Sequence, residues 1–587
     1  MSKKKNIYPN NKKKSIRKDN RFQLLAIILI VILINFIGKH FYTRLDLTAE
    51  KRYSLAPESK QILRNVKDIA FFKVYLEGEF PADYKRLRNA TKELLDEMRA
   101  YNSNIQYEFI NPNEPESTKE RSDFHKLLLK KGIAPASIRY KNSDGAYSQK
   151  VIFPGCLFIY KGEEEPLSLL QDSKIEENEA HILNNSIQNL EFLFISAIKR
   201  HSRARKHTIG VLQGHGEVKP NEMFSFLTRA QRDYSIEKAE IGDDINALST
   251  RFGTDSTGYE AKNKFDALII PGPTQPFTNK EKFILDQYIM HGGKVLWLVD
   301  PVYAKMDSIQ NSENTVGLLN DINFKDMLFN YGVRVNDVLL KDLSCLKIPL
   351  NIGKVGNRPN IQFFPWPYFP LVSPGSKHPI VKNLDLISTQ FPGTLDTLAN
   401  DDIKKTILLS SSENATSVQA PAIISLSEIR ANLDKRIYHG GKKPVAVLLE
   451  GKFTSAFKNR VPSKLKNESI IDFEDHIDHN AMIVISNSAL IKNQFTPKDG
   501  VPLPLGYNRY TRQTFGNEYF ALNVLNYLTD GDALISLRSR EVELRPLDVK
   551  KIEKDRLFWQ TLNTVTPLFL LILFGIIHFI IRKRKYN

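Results

Sequence analysis

Two uninterrupted apolar runs, one near each end of the chain and each abutting a block of basic residues, restrict how this sequence can fold. The first, Phe22 to Gly38 (FQLLAIILIVILINFIG), has no charged residue over 17 positions. As a helix it would span about 25 Å. The second runs from Leu557 to Ile581 without Asp, Glu, Lys or Arg, and is most apolar over Val565–Ile581. Core helices of soluble domains seldom stay apolar on every face for so long, so both runs are expected to cross a membrane. Asn35-Phe-Ile-Gly-Lys-His40 offers no small-x-small cleavage site, so the first run reads as an uncleaved anchor rather than a signal peptide.

The charge distribution supports that reading. The chain carries a formal charge of +17, the usual footprint of a polyanion binder. Residues 1–21, however, hold nine basic side chains against Asp19 alone, and Arg582-Lys-Arg-Lys585 adds four more. Twelve of the seventeen net charges therefore lie at the ends, and the 560 residues between are nearly balanced. No nucleic-acid partner is expected. By the positive-inside rule both termini face the cytoplasm, and residues 45–556 lie on the outer side of the inner membrane. Phe558 and Trp559 suit the outer interface, and His578 sits near the inner end of the second run.

The outer portion begins with apolar and aromatic strands separated by helical spacing. Ile69–Leu76 and Asn104–Ile110 read as strands, Pro81–Tyr101 and Lys119–Lys131 as helices, and Ser137–Tyr140 and Val151–Tyr160 as two further strands. A β-α-β-α-β-β order of this size resembles a thioredoxin-like domain, placed at residues 45–175. The two cysteines, Cys156 and Cys345, form no Cys-x-x-Cys, so redox chemistry is not expected. Both read as buried small apolar residues. A long helix, Glu179–Arg200, then leads into Lys199-Arg-His-Ser-Arg-Ala-Arg-Lys-His207. That run reads as a solvated connector, with contact to a phosphate or lipid headgroup as the lesser alternative.

Beyond it the pattern becomes alternating. Thr208–Leu212, Ser235–Ala239, Phe265–Pro271 and Lys294–Val299 read as strands, with helices from Asn221 to Arg232 and from Thr278 to His291 between them. Thr278-Asn-Lys-Glu281 is a capping-box pattern and Gly292-Gly293 a stop. This order argues a doubly wound α/β domain with a parallel sheet, placed at 176–545 with its extension. Ligands of such sheets bind beyond the strand carboxyl ends, which makes His215, Glu217 and Asp300 the candidate ligand-binding residues. The later strands Thr406–Leu409, Val445–Leu449 and Met482–Ile485 and the helix Asn517–Leu528 are expected to fold onto the same domain. Residues 546–563 read as a juxtamembrane helix. Transmembrane segments are placed at 22–42 and 564–581, and basic tails at 1–21 and 582–587.

Enzymatic motifs are missing from the sequence. Gly293-Lys294, Gly441-Lys442 and Gly451-Lys452 lack the rest of a Walker A loop, so an ATPase would have to be another subunit. Gly214-His-Gly216 lacks the third glycine of a dinucleotide fingerprint. His215-Gly-Glu217 has no Pro-Cys-x-x-Cys to complete a zinc deaminase, and there is no His-Glu-x-x-His. The run DALIIPGP … GGKVLWLVD resembles class I glutamine-amidotransferase-like domains, which place a nucleophilic Cys after the second strand. Asp300-Pro301 stands there instead, so the resemblance supports the fold and not the activity. No cofactor and no metal set is expected. A hydrolase acting at the same edge has no identifiable nucleophile. Phe363-Phe-Pro-Trp-Pro-Tyr-Phe-Pro370 reads either as an extended segment pinned to the surface or as a partner-docking patch of Phe363, Phe364, Trp366, Tyr368 and Phe369.

RLDLTAEKRYSL (44–55), YLEGEFPADYKRLRNATKELLDEM (75–98), IGVLQGHGE (209–217), DALIIPGP (266–273) and GNEYFALNVLNYL (516–528) follow one another between the two apolar runs. This order resembles the auxiliary, extracytoplasmic subunits of ABC-type transport systems, and most closely their gliding-motility (GldG-type) branch. The resemblance implies a partner permease, a partner ATPase and a role in gliding motility or associated secretion. It transfers no binding residue and leaves homo-oligomerisation open.

Overall fold

The structure, a computed structural model, describes residues 24–33, 54–115, 117–141, 147–170, 179–203, 205–253, 259–306, 314–382, 384–430, 436–460, 471–530 and 555–586. It divides into two compact units, Met1–Arg540 and Glu541–Asn587. The basic tail 1–21 lies outside the described residues. Of the expected span 22–42, the structure describes an apolar helix, α1 (Leu24–Leu33).

The first sheet of the larger unit follows from alternating strands and helices. After α2 (Pro57–Arg64) come β1 (Ala70–Val74), α3 (Ala82–Tyr101), β2 (Ile105–Phe109) and α4 (Thr118–Lys130). A hairpin of β3 (Ala136–Lys141) and β4 (Tyr147–Ile152) precedes β5 (Gly155–Tyr160) and β6 (Glu163–Ser168). The sheet order is β2-β1-β5-β6, with β1 parallel to β2 and antiparallel to β5. The single strand expected over Val151–Tyr160 is thus two. Pro154, which has no N–H to donate, separates them, and β4 pairs with β3 instead. The long helix α5 (Glu179–Ser202) closes this core. Its Phe194 lies 5.1 Å from Phe72, which in turn sits 4.8 Å from Phe158.

The second sheet contains β7 (His207–Leu212), β8 (Tyr234–Ala239), β9 (Ala267–Pro271), β10 (Lys294–Leu298), the pair β11 (Cys345–Val355) and β12 (Arg358–Pro374), β13 (Ile403–Ser410), β14 (Pro444–Thr454) and β15 (His476–Ile485). Its order is β11-β12-β13-β14-β15-β10-β9-β7-β8. Pairs from β15 to β8 are parallel, and those from β11 to β15 antiparallel. The later strands therefore extend the parallel half edge to edge. Alternate residues of each central strand feed two cores. Ala267, Ile269, Leu296 and Leu298 face one side, under α6 (Phe224–Ala230) and α8 (Asn517–Asp530). Leu268, Ile270, Val295 and Trp297 face the other, under α7 (Asn279–Met290). With both faces covered, these strands read as continuous apolar runs rather than alternating ones.

In the second unit, α9 (Arg556–Tyr586) is one helix through what the sequence divides into juxtamembrane, spanning and tail segments. Pro567 lies within it without ending it. Among the described residues its stretch Arg556–Arg584 is the one helix long and apolar enough to cross a membrane. Residues 546–554 lie outside the described residues.

Candidate functional site

The carboxyl ends of β7, β9 and β10 bring the three candidate ligand residues to one edge, where each side chain makes internal contacts but His215 Nδ1 and Glu217 Oε1 stay without a hydrogen bond. Leaving β7, the chain turns through Gly214 and Gly216 at φ of 134° and 70°. A Cβ on Gly216 would lie 2.2 Å from Thr274 Oγ1, so glycine is required there. The amides of Thr274 and Gln275 donate to the His215 carbonyl at 2.8 and 2.9 Å, joining this turn to the one after β9.

His215 is buried, its ring stacked 3.9 Å from Phe277. Nε2 lies 3.0 Å from Glu281 Oε1, and Nδ1 lies 3.5 Å from Glu217 Oε1 without hydrogen-bond alignment. Burial alone would lower the imidazole pKa, but the two carboxylates outweigh it and hold the pKa above its ordinary value. Glu217 shows the converse. Burial would raise its pKa, and His215 together with backbone amides brings it below the usual carboxylate value. An imidazole held between two carboxylates, its pKa raised by them, forms a structural charge cluster. It is poorly placed to take a proton from a substrate.

Glu281 does two jobs. Its Oε2 accepts from the Thr278 amide and hydroxyl, both at 2.8 Å, completing the capping box of α7, while Oε1 holds His215. The capping motif showed in the sequence, but a residue 66 positions from His215 gave no sign of their contact. Phe277 was missed for the same reason.

Asp300 belongs to a separate network. Its Oδ1 accepts the Ser488 amide at 2.7 Å and Oδ2 the Ser488 hydroxyl, with Asn487 Nδ2 at 3.5 Å. Asn320 Nδ2 donates to the carbonyls of Asp300 and Pro273, at 2.9 and 3.0 Å. Gly272, at φ 64°, lies between the two networks, where a Cβ would come within 2.5 Å of Ser488.

The aromatic segment divides. Trp366, Tyr368 and Phe369 are buried in a satellite core with Leu346, Ile348 and Phe391, and Phe364 packs against it. Phe363 is 46% exposed. The ribbon explains this: Trp366–Pro370 lie in its buried part, and only the distal part of β11–β12 leaves the core, carrying exposed Ile352, Val355 and Ile361 beside Phe363.

The 199–207 cluster is a solvated connector only in part: Arg205 and Lys206 are exposed, whereas Arg200 and His201 are held by carboxylates. Arg200 bridges Glu165 of β6 at 2.5 Å and Asp233 of the second domain at 3.1 Å. His201 places its two nitrogens 3.0 Å from Glu163 and Glu165. Among the described residues, His291, Asp472 and Glu474 bring ligand-type atoms within 4.8 Å of one another. There His291 Nδ1 donates to the Gln287 carbonyl at 2.8 Å. Asp472 meets His291 Nε2 at 3.1 Å and accepts the Ala261 amide at 2.7 Å, which ties the end of α7 to residues 471–474.

Cys156 is buried as expected, whereas Cys345 is only half-buried, and the surroundings of both disfavour the thiolate. Burial raises the Cys156 pKa well above its ordinary value, and burial with the nearby Asp342 carboxylate pushes Cys345 up to about 12. Neither should react with Ellman's reagent in the native chain at pH 7.5, and both should after denaturation. A native stoichiometry of one or more would contradict this.

The larger unit holds an α/β sheet with a core on each face, and the candidate residues at its edge make internal contacts. The family profile of the ABC-type uncharacterized transport system matches residues 206–524, more than half of the chain, and the chain belongs to that family of auxiliary transport subunits. A domain of unknown function (DUF7088) matches residues 49–159. A search of curated proteins finds no match. A solved structure described as the mmIFT52 N-terminal domain is 14% identical, covering 55% of this chain and 98% of its own, at a TM-score of 0.31. A likeness that loose carries no argument.

Proposed function

We propose that this chain is a non-enzymatic, membrane-anchored auxiliary subunit of an ABC-type transporter, acting with a separate permease and ATPase in gliding motility or associated secretion. The match over residues 206–524 is the observation that carries it. Basic residues beside both apolar runs favour two spans with cytoplasmic termini and the large unit outside. The β2-β1-β5-β6 order favours a thioredoxin-like first domain, and the β15-β10-β9-β7-β8 parallel set an amidotransferase-like second one. Purification of the tagged chain in mild detergent should recover a permease and an ATPase; a solitary protein would sink the reading.

Partner contact is assigned to the exposed part of the β11–β12 ribbon around Phe363. Ile361→Asp with Phe363→Asp should lower permease recovery about tenfold, on the scale of losing one apolar hot spot, with the circular dichroism spectrum unchanged. Unchanged recovery would move the contact elsewhere.

A second reading, a ligand site at the sheet's carboxyl edge, is favoured by one observation. His215 Nδ1 and Glu217 Oε1 are buried without hydrogen bonds. Its test is His215→Gln with Asp300→Asn. Lost transport function in a folded, fully assembled complex supports it, and wild-type function excludes it.

A further inference from the structure

Ligating side chains are concentrated in one short stretch. Asp472-Phe-Glu-Asp-His-Ile-Asp-His479 holds four carboxylates and two imidazoles in eight positions. Two of these carboxylates are compensated by lysines: Asp475 lies 3.3 Å from Lys458, and Asp478 lies 2.9 Å from Lys452. Asp472 and Glu474 differ. Among the described residues no lysine or arginine forms an ion pair with either. Arg251, whose charge acts on Asp472, spends Nε on the Ile471 carbonyl at 3.2 Å and Nη1 on the Ile245 carbonyl at 2.7 Å.

The second observation is the imidazole that these carboxylates meet. His291 caps the C-terminus of α7, and its side chain is only 9% exposed. Nδ1 lies 2.8 Å from the Gln287 carbonyl, which can only accept, so Nδ1 carries the ring proton. Nε2 lies 3.1 Å from Asp472 Oδ2, and a carboxylate also only accepts. A neutral ring therefore turns its Nε2 lone pair onto a carboxylate oxygen, and a positive charge has to lie between them. That charge is either a second ring proton or a cation held by both groups. A ring proton balances one carboxylate and gives Glu474 no role, although the ligand atoms of all three residues lie within 4.8 Å of one another. A divalent ion balances both carboxylates.

The surroundings match metal ligation. A metal-bound histidine ordinarily donates its other ring N–H to a backbone carbonyl or carboxylate, as Nδ1 does to Gln287. Ligating carboxylates are in turn hydrogen-bonded, as Asp472 is by the Ala261 amide at 2.7 Å. Two zinc ligands at tetrahedral angles stand about 3.3 Å apart, near the separation of Nε2 and Oδ2. Glu474 is exposed, so it can turn to the third position and leave the fourth to water. The imidazole disfavours calcium and magnesium, which take oxygen ligands. We propose that His291, Asp472 and Glu474 bind a divalent transition-metal ion, zinc foremost, which pins the end of α7 to residues 471–474. His291 and Asp472 are 181 positions apart, so no sequence motif announces the set.

The test is calorimetric titration of the full chain, purified without a histidine tag and stripped with EDTA, in neutral detergent. Zinc chloride is the probe, with magnesium and calcium chlorides as controls. Saturable zinc binding is expected, with neither control filling the site at the same concentrations. Glu474→Gln alters an exposed carboxylate that an ion pair of His291 with Asp472 does not use. It should weaken zinc binding about tenfold with the circular dichroism spectrum unchanged. Asp472→Asn, which keeps an oxygen for the Ala261 amide, should weaken it at least as much. Zinc should also raise the urea midpoint of the wild type and not that of Glu474→Gln, since a ligand bound only by the folded state stabilises it. Asp475→Asn with His476→Gln should leave the affinity unchanged; a loss there places the ion on the neighbouring exposed groups and overturns the site. Absence of saturable zinc binding overturns the proposal, as does wild-type affinity in Glu474→Gln. Tighter binding of magnesium or calcium overturns the assignment to a transition metal.

Discussion

Asp286→Ala should lower the unfolding free energy of the larger unit by about 3 kcal/mol, because it strands several buried donors at once. Asp286 is fully buried on α7. Its Oδ1 accepts from the Tyr331 hydroxyl at 2.7 Å and the Ala456 amide at 2.8 Å, and its Oδ2 from the Ser455 hydroxyl at 2.6 Å and Gln287 Nε2 at 3.1 Å. The amide of Ala456 cannot turn away, and the Tyr331 hydroxyl is sealed in a fully buried ring. Burial raises the carboxyl pKa and the four donors oppose it without cancelling it. A raised folded pKa means that the carboxyl's contribution is fully present below its unfolded value of 3.8 and declines as pH rises through the folded pKa. Asp286→Asn keeps one acceptor and gives Ser455 a donor it can accept, so it should cost less than alanine. The order wild type, Asn, Ala in urea midpoint at pH 7 checks this. A loss below about 1 kcal/mol for alanine would show the network to be dispensable.

What the sequence made legible follows from where each signal resides. Ala267–Pro271 and Lys294–Leu298 could be read as buried strands because parallel strands covered on both faces need no alternation. The cap at Thr278–Glu281 lies within four residues and could be read for the same local reason. The surroundings of α7 could not. Nine of its twelve residues are buried, Glu281, Lys282, Asp286 and Gln287 among them, and a helix with that many polar residues reads as half solvated. Its partners Tyr331, Ser455 and His215 come from distant segments. The prolines at 359, 365, 367, 370 and 374 argue against a strand, yet all lie within β12. For Pro359 and Pro365, in the outer part of a two-stranded ribbon, an N–H that points away from the single partner can be lost without removing a ladder bond. At the candidate site, the glycines and the sheet edge were legible. The commitment of His215 and Asp300 to internal partners depended on Glu281 and Ser488, which no local spacing links to them.

Glu281→Ala should cost about 3–5 kcal/mol near pH 6, since it removes one of the two carboxylates that neutralise a buried imidazolium. The cost should depend on pH with a definite sign. The folded pKa of His215 is raised, so its stabilising contribution is fully present below its unfolded value of 6.5 and is lost as pH rises through the folded pKa. The folded pKa of Glu217 is lowered, so its contribution is present above its unfolded value of 4.5 and is lost as pH falls through the folded pKa. The cluster is therefore strongest between about 4.5 and 6.5, and each unit of displacement is worth about 1.4 kcal/mol. Above the folded pKa of His215 the imidazole is neutral and the charge penalty disappears. Only the lost cap remains, with the Thr278 amide unpaired, at about 1 kcal/mol. Urea midpoints of wild type and Glu281→Ala should thus diverge at pH 6 and converge toward pH 9. A gap independent of pH would mean that Glu281 acts through its cap alone and that His215 is buried neutral. His215→Gln separates the two contributions: it should abolish the pH dependence of the Glu281→Ala effect while leaving the cap's share in place.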